Sequence, residues 1–162
     1  MSDATYPDLA DKAVVVTGGA TGIGAAIVRA FAAQGCRVGF VDLDADAARR
    51  LEAELGGAAR ATVADLRDIA GLRRALATLR AAHGPVSVLV NNAARDDRHR
   101  IEEVTPEYWD ERMATNLRHQ FFAVQATLDD LRAAGEGGAV VNMGSVSWRV
   151  LSGGMPAYVS AK

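Results

Sequence analysis

A glycine-rich turn between an apolar run and a helix-forming segment is the feature that most restricts how this chain can fold. Residues 13–16 are all apolar, residues 17–24 read Thr-Gly-Gly-Ala-Thr-Gly-Ile-Gly, and residues 25–31 are mostly Ala, Ile, Val and Phe. Glycines at 18, 22 and 24 allow a tight turn, a close approach of backbone N–H groups to a phosphate, and close packing of the helix on the strand. The new helix also points its positive end at an anion. The stretch therefore predicts strand, phosphate-binding turn and helix, the order that a dinucleotide site requires.

The composition favours one domain with small-molecule partners. The chain has 162 residues, 49% of them apolar, which is enough to bury a core in a single domain. The net charge is −2 and both signs are mixed along the chain, so neither nucleic acid nor a membrane surface is indicated as a partner. The N-terminus lacks the pattern of a signal peptide, and no apolar run approaches the ~20 residues of a membrane span. We therefore expect a cytoplasmic protein.

Cysteine and histidine usage indicates neither a disulfide nor a metal site. Cys36 is the only cysteine and is expected to be a small core residue. His83, His99 and His119 show no ligand spacing, so we predict no metal.

Alternating strand and helix patterns predict an α/β domain. Apolar or β-branched runs at 37–41, 59–64, 86–90 and 139–143 follow the first strand, with helical segments between them that end at glycines. The run at 86–90 is nearly all apolar, which is typical of a strand covered by helices on both faces. Residues 1–11 are expected to be an N-terminal tail, and residues 12–162 one domain.

Acidic residues follow two of the predicted strands. Asp42 ends the second strand, about 20 residues beyond the glycines, where a carboxylate can bind the adenosine ribose hydroxyls and repel a 2′-phosphate. This favours NAD over NADP. The alternative is that Asp42 or Asp44 only caps the next helix. Asp65 ends the third strand and can contact the adenine amino group, whereas Asp68 is expected to cap the helix that follows.

A long helix is predicted from Thr105 and Pro106 to about Ala134. Its apolar residues wrap widely around it, which predicts burial against a second subunit as well as against the sheet. Asn116 lies among them and needs a hydrogen-bond partner if it is buried. The charged run at 95–100, before this helix, is expected to be a solvated loop or the mouth of a site.

Tyr158 and Lys162 are four residues apart, so a helix places them on one face. An ammonium beside a phenol favours the phenolate and prepares it for acid/base chemistry near neutral pH. Ser145 follows the fifth strand and can reach the same pocket. The Tyr-x-x-x-Lys spacing is a weak signal by itself, and its weight comes from the glycine turn earlier in the chain.

Taken together, these residues resemble the short-chain dehydrogenase/reductase family. The resemblance rests on the turn at 17–24, Asp42, Asp65-Leu66, Asn91-Asn92-Ala93, Asn116, Ser145 and the Tyr-Val-Ser-Ala-Lys run at 158–162, which occur in family order and at family-like spacings. It covers nearly the whole chain from residue 12 onwards. It implies a Rossmann-type doubly wound parallel sheet with the strand order 3-2-1-4-5, an NAD cofactor, and a homo-oligomer such as a dimer or tetramer.

The resemblance also implies roles for individual residues. Tyr158 would be the catalytic acid/base, Lys162 would hold the nicotinamide ribose and favour the phenolate, and Ser145 would hydrogen-bond the substrate oxygen. Asn116 would hold a water that links Lys162 to solvent. The residues implied to contact the cofactor are Gly18, Thr21, Gly22, Ile23, Gly24, Asp42, Asp65, Leu66, Asn92, Tyr158 and Lys162. Hydride would pass between the nicotinamide ring and the carbinol carbon of the substrate.

The chain departs from the family pattern at two places. Ala94 replaces the glycine that usually follows Asn-Asn-Ala, and the added methyl group is expected to cost little. The chain stops at Lys162, whereas family members continue past this helix. We therefore expect a fragment of a longer enzyme, truncated after the start of the catalytic helix.

The substrate is less tightly predicted than the reaction. Residues 91–103, 109–112 and 116–122 resemble the branch of the family that oxidises sugars or polyols. In that interpretation the side chains at 96–99 (Asp, Asp, Arg, His) could bind hydroxyls, and Trp148 could offer a flat face to a sugar ring. The alternatives are a solvated loop and a half-buried aromatic residue.

Two other functions remain open from the sequence. One is a 3-oxoacyl thioester reductase, against which Asp42 argues because such enzymes resemble NADPH users. The other is a non-catalytic dinucleotide-binding or assembly module.

Overall fold

The computed structural model describes residues 4–150 and 153–162. Its strands are β1 (Ala13–Thr17), β2 (Arg37–Asp42), β3 (Ala59–Val63), β4 (Val88–Asn91) and β5 (Ala139–Asn142). They form one wholly parallel sheet in the order β3-β2-β1-β4-β5. The predicted Rossmann-type fold and strand order are confirmed. The fourth strand is shorter at its start than its apolar run, because it pairs with β1 only from Val88 onwards.

The helices are α1 (Gly22–Ala33), α2 (Ala45–Leu55), α3 (Ile69–His83), α4 (Pro106–Met113), α5 (His119–Ala133) and α6 (Pro156–Ala161). Short 3₁₀ turns lie at Pro7–Leu9, Gly56–Ala58, Ile101–Glu103, Gly135–Gly137 and Val146–Trp148. None of the helices found in the described ranges is both long and apolar enough to cross a membrane.

The predicted long helix is present but is not regular. A π-helical segment, Ala114–Arg118, joins α4 to α5, and Asn116 is in its middle. A π turn holds an extra residue, and such turns occur frequently at functional sites. The spacing of apolar residues could not reveal the π turn. One wide turn rotates the helix face that follows, but it requires no unusual residue type.

Helices cover both faces of the sheet, as the apolar fourth strand predicted. Val14 and Val16 of β1 belong to a core cluster that packs beneath α1 and α2. Val15, between them, belongs to a second cluster formed with α3 and α5. Successive strand side chains point to opposite faces, so one short apolar strand contributes to two cores.

Polar side chains cap the helices where the sequence predicted caps. Asp44 accepts hydrogen bonds from the backbone N–H groups of Asp46 and Ala47 at the start of α2. Asp68 accepts from Ala70, and Thr105 from Tyr108. The capping alternative considered for Asp42 therefore applies to Asp44 instead.

The segment before β1 is attached to the domain from Ala4 onwards, and residues 1–3 of the predicted tail lie outside the described residues. The Tyr6 N–H donates to the side chain of Gln34 at 2.8 Å. Leu9 packs against the core, and its carbonyl accepts from the Cys36 thiol at 3.1 Å. Cys36 is a buried core residue, as predicted, and burial raises the pKa of its thiol. The division of the chain at residue 11 stays a prediction.

Asp130 on α5 joins this helix to α3 and to the backbone of Val86. Its carboxylate accepts from Arg80 on α3 at 2.8 and 3.0 Å, and from the backbone N–H of Val86 at 3.1 Å. The hydrogen bond from Arg80 holds the pKa of Asp130 below its usual value. Stability from this carboxylate is therefore present above the unfolded-state pKa of about 3.9 and is lost as the pH falls through the lower folded-state pKa.

We expect Asp130→Asn to lower the free energy of unfolding by about 1–2 kcal/mol at pH 7, because charge-assisted hydrogen bonds are lost. Urea denaturation of both proteins across acidic pH measures this. The gap should close as the pH falls below about 4, where the wild-type carboxylate also takes up a proton. Asp129→Asn, at an exposed neighbouring position, is the control. An Asp130→Asn gap that stays constant down to low pH would show that the charge is not involved.

Candidate active site

The glycine-rich turn is clamped to the end of β4 by side chains. The Thr17 hydroxyl accepts hydrogen bonds from the N–H groups of Asn92 and Ala93, at 3.1 and 3.2 Å. The Asn92 amide donates to the carbonyls of Thr17 and Gly18, at 3.1 and 2.9 Å. Asn92 was expected to contact the cofactor. Its observed contacts show that it holds the loop on which a cofactor would lie.

Two glycines of the turn serve different purposes. Gly22 has φ of +52°, a conformation that side chains rarely adopt, and a Cβ atom there would meet nothing within 4 Å. Gly24 faces the loop instead, because a Cβ atom there would lie 1.8 Å from the Gly18 carbonyl oxygen and 2.7 Å from Asn92 Nδ2. Gly22 thus leaves open space at the start of α1, whereas Gly24 permits the close packing of helix and loop.

Asp42 connects the end of β2 to this loop. Its Oδ2 accepts from the Ala20 N–H at 2.8 Å, and its Oδ1 accepts from the Asp44 N–H at 3.0 Å. An ionised carboxylate has about four acceptor positions, so these bonds leave capacity for ribose hydroxyls. Asp42, from which the preference for NAD is predicted, therefore also holds the glycine-rich turn in place.

Asp65 has a partner that the sequence did not indicate. Arg67 donates to both of its oxygens, the Nη2 atom at 2.7 Å from Oδ2, and also donates to Glu111 at 3.0 Å. The hydrogen bond from Arg67 holds the pKa of Asp65 below its usual value. An adenine contact at Asp65 would therefore share an oxygen with this ion pair.

A cavity of about 640 Å³ runs along the carboxyl ends of the strands. The predicted cofactor residues that line it are Gly18, Thr21, Gly22, Ile23, Gly24, Asp42, Asp65, Leu66, Asn92 and Tyr158. Arg67, Ala94, Glu111 and Thr115 also line it. The glycine turn near the start of the chain and the tyrosine near its end thus meet in one cavity.

Lys162 directly follows α6 and lies beside Tyr158. Its Nζ is 5.9 Å from the centre of the Tyr158 ring and donates to the backbone carbonyl of Met143, beyond β5. Burial lowers the pKa of the Lys162 ammonium. The arrangement fits the expected pairing of an ammonium with a phenol.

Ser145 and Trp148 do not belong to the cavity lining. The Ser145 hydroxyl is 2.6 Å from the Ser147 hydroxyl and accepts from the Ser147 N–H at 3.2 Å. The side chain of Trp148 is 59% exposed, and the Arg149 guanidinium lies 5.4 Å from the centre of its ring. Their predicted contacts with substrate stay predictions.

Asn116 is fully buried and has the partners that its position required. Its Oδ1 accepts from the Arg95 N–H at 2.8 Å, and its Nδ2 donates to the carbonyls of Arg95 and Arg112 at 3.2 and 3.0 Å. Its own carbonyl accepts from the Gln120 side chain at 2.7 Å. The side chain therefore fastens the loop after β4 to the π turn. The proposed water relay is untested.

The charged run at 95–100 has features of both alternatives, because residues 95, 96, 98 and 100 are exposed and Arg95 and Asp96 line the cavity. His99 is buried and Asp97 accepts from Arg112, a residue that is only 2% exposed. Both nitrogens of the His99 ring are engaged within the protein, so this ring is not a free hydroxyl-binding group. From the sequence, residues 95–100 were recognisable only as a run of charged side chains. Nothing in the local pattern indicated which of these side chains are buried.

The chemistry of the cavity fits a nicotinamide dinucleotide. Open space at Gly22 lies at the start of α1, whose first backbone N–H groups have no partner within the helix and suit a pyrophosphate. Asp42 and Asp65 lie where the adenosine half would be bound, and Tyr158 lines the same cavity as Asn92 and Ala94.

Comparison with known proteins agrees with this fit. The family model described as short chain dehydrogenase matches residues 12–162. The probable galactose dehydrogenase GalD of Rhizobium meliloti is 47% identical over 161 residues, which are 97% of this chain and 62% of that protein. The D-xylose 1-dehydrogenase of Caulobacter vibrioides is 46% identical over the whole of this chain and 64% of its own length.

A solved structure shows the same architecture. A double mutant of a Serratia marcescens short-chain dehydrogenase/reductase superposes with a TM-score of 0.87 at 34% identity, over 97% of this chain and 64% of that one. The chain thus spans somewhat less than two thirds of the length of these proteins. On the match to its family model and on these identities, the chain belongs to the short-chain dehydrogenase/reductase family.

Proposed function

We propose that this protein is an NAD-dependent oxidoreductase that transfers a hydride between nicotinamide and a secondary alcohol, lactol or carbonyl of a sugar or polyol. The observation that carries the proposal is that Tyr158 shares one cavity with the glycine turn and Asp42. Lys162 beside the phenol ring adds the group that an acid/base tyrosine needs.

Each residue of the site has a distinct task in this reaction. The cofactor supplies the hydride acceptor or donor when it is bound. Tyr158 takes the proton of the substrate hydroxyl during oxidation and returns it in the reverse direction. Lys162 lies beside the phenol ring, and burial lowers the pKa of its ammonium. Ser145 binds the substrate oxygen. Asn116 fastens the loop after β4 to the π turn.

The preference for NAD is inferred from Asp42. Its carboxylate lines the cavity at the end of β2 and keeps acceptor positions for ribose hydroxyls. A 2′-phosphate in the same place would bring a second negative charge against it. Like charges at close range therefore support NAD over NADP.

The sugar or polyol substrate is inferred from the relatives. Two of them are named as galactose and xylose dehydrogenases, and the matches extend through the loop and helix residues after β4. Since fold and catalytic residues are shared by enzymes with unrelated substrates, this part of the proposal rests on sequence similarity.

Titration and turnover test the proposal together. We expect NADH to bind more tightly than NADPH by about tenfold or more, which corresponds to about 1.4 kcal/mol. Fluorescence quenching measures both affinities, and a panel of sugars, polyols and a 3-oxoacyl thioester measures turnover. Preference for NADPH with reduction of the thioester would favour the reductase alternative. NAD binding without turnover on the panel would favour the non-catalytic module.

We also propose a homo-oligomer. The long helix exposes Trp109 by 40%, Leu117 by 49% and Phe121 by 67%. Apolar side chains grouped in this way are typical of a surface that another chain covers. Sedimentation of the purified protein checks this, and a monomer at all concentrations would contradict it.

A further inference from the structure

His99 lies in the loop after β4 but is attached to the helix of Tyr158. It is 9% exposed, and its Nε2 accepts a hydrogen bond from the backbone N–H of Ala157 at 3.1 Å. Its own backbone N–H donates to the carbonyl of Gly154 at 2.9 Å. The loop therefore holds the start of α6 at two points, one of them next to the tyrosine in the chain.

The start of α6 lacks a side-chain cap. Its N-cap residue Met155 provides none, and the first N–H groups of a helix require partners from outside the helix. The His99 imidazole supplies the acceptor that a serine or aspartate cap would supply in an ordinary helix.

The hydrogen bonds define which imidazole nitrogen carries the proton. Since Nε2 accepts from an amide, the proton of a neutral ring is on Nδ1, which is 2.9 Å from the Asp97 carbonyl oxygen. The Tyr108 hydroxyl is also 2.9 Å from Nδ1 and donates to Asp97 Oδ2 at 3.1 Å. Arg112 donates to the other oxygen of Asp97. This network runs from a buried arginine on α4 to the backbone of α6.

The same loop is also attached to the π turn. Arg95 exchanges two backbone hydrogen bonds with the Asn116 side chain, at 2.8 and 3.2 Å. One end of the loop is thus fixed by Asn116 and the other end, through His99, fixes α6. Displacing the ring would release the start of the Tyr158 helix from the loop, whereas none of the hydrogen bonds that His99 makes is to the glycine turn.

We propose that His99 is a positioning residue: by accepting from the Ala157 N–H, it sets the place of the Tyr158 hydroxyl relative to the cofactor cavity. The proposal rests on the proposed function of Tyr158 as acid/base. His99 itself is not a hydroxyl-binding or proton-transferring group, because both ring nitrogens are engaged within the protein.

Two substitutions test whether the role of His99 depends on the ring nitrogen Nε2, which accepts from Ala157, or on Nδ1. In His99→Gln the amide oxygen can reach the place of Nε2 and accept from Ala157. In His99→Asn the shorter amide reaches only the place of Nδ1, so the contact with α6 is lost. Arg100→Gln is the control, because the Arg100 side chain is 75% exposed and pairs with Glu102 close by in the chain.

We expect His99→Asn to lower kcat by about 10- to 100-fold, since misplacement of a reacting group by 1 Å can cost this much. Glutamine should restore most of the lost rate, and the control should behave as wild type. The dissociation constant of NADH, measured by fluorescence, should change much less than the rate in His99→Asn and should match wild type in the other two variants. Equal losses of rate in the asparagine and glutamine variants, or a loss of NADH affinity as large as the loss of rate, would overturn the proposal.

Hydrogen exchange of the purified full-length protein gives a readout that does not need turnover. A peptide covering α6 should exchange faster in His99→Asn than in wild type, and at the wild-type rate in His99→Gln. Unchanged exchange in His99→Asn would contradict the positioning role even in an active enzyme. If wild type shows no dehydrogenase activity but the exchange pattern holds, the proposed function fails while the attachment of α6 by His99 stands.

Discussion

Replacing Tyr158 by phenylalanine is expected to lower kcat/KM for the preferred sugar or polyol by about 10²- to 10⁴-fold, the usual contribution of a positioned general acid or base. The ring remains in the cavity wall and beside the Lys162 ammonium, so the shape of the cofactor site is retained. The NADH affinity should therefore stay nearly unchanged. Steady-state rates and fluorescence titration of the same preparation provide the measurement.

Tyr6→Phe is the matched control for this substitution. Tyr6 is 56% exposed, lies before β1 and makes its contact to Gln34 through its backbone. Loss of a hydroxyl there should change neither rate nor affinity. If Tyr158→Phe retained most of the wild-type rate, the acid/base assignment would be wrong. Parallel losses of rate and NADH affinity would instead indicate a structural role for the hydroxyl.

Replacing Gly24 by alanine is expected to weaken NADH binding by about tenfold or more, equivalent to about 1.4 kcal/mol, and to destabilise the protein. The added methyl group would lie 1.8 Å from the Gly18 carbonyl oxygen and 2.7 Å from Asn92 Nδ2, so loop and helix must separate. Overpacking of this kind costs about 1–3 kcal/mol of folding free energy. Thermal unfolding with and without NADH, combined with titration, measures both effects.

Gly57→Ala controls for the change of glycine to alanine. Gly57 lies in the exposed turn between α2 and β3, and a Cβ atom there would meet nothing within 4 Å. It should bind NADH as wild type does. Wild-type affinity in Gly24→Ala would show that the turn tolerates a wider separation than the structure allows, and it would weaken the assignment of this loop as the pyrophosphate site.

Some parts of the candidate site followed from local rules. The glycine spacing predicted a turn at the start of a helix, and Gly22 has the positive φ that such a turn needs. The position of Asp42 at a strand end placed it at the same edge of the sheet as the glycine turn, because carboxyl ends of parallel strands meet at one edge. The four-residue spacing predicted that Tyr158 and Lys162 would be neighbours.

Other parts depended on which distant segments meet. His99 and Ala157 are 58 residues apart in the chain, and Asn92 reaches Thr17 across 75. In a charged run, the residue types do not tell which side chain turns inward, so His99 and Arg112 were missed as buried residues. The π turn at Asn116 was missed as well, because its neighbours have ordinary helix-forming composition.

The sequence by itself determined the layered α/β architecture, the family, and the glycine-turn and strand-end residues that line part of the cavity. Apolar periodicity and glycine positions act over a few residues, where backbone geometry leaves few choices. Only the tertiary structure decided which of the polar residues are already engaged with the protein: Asp42 and Asn92 shape the glycine turn, and His99 holds the tyrosine helix. Hydrogen-bond partners depend on distances to within a few tenths of an ångström between segments far apart in the chain, and such distances are set only when the helices pack on the sheet.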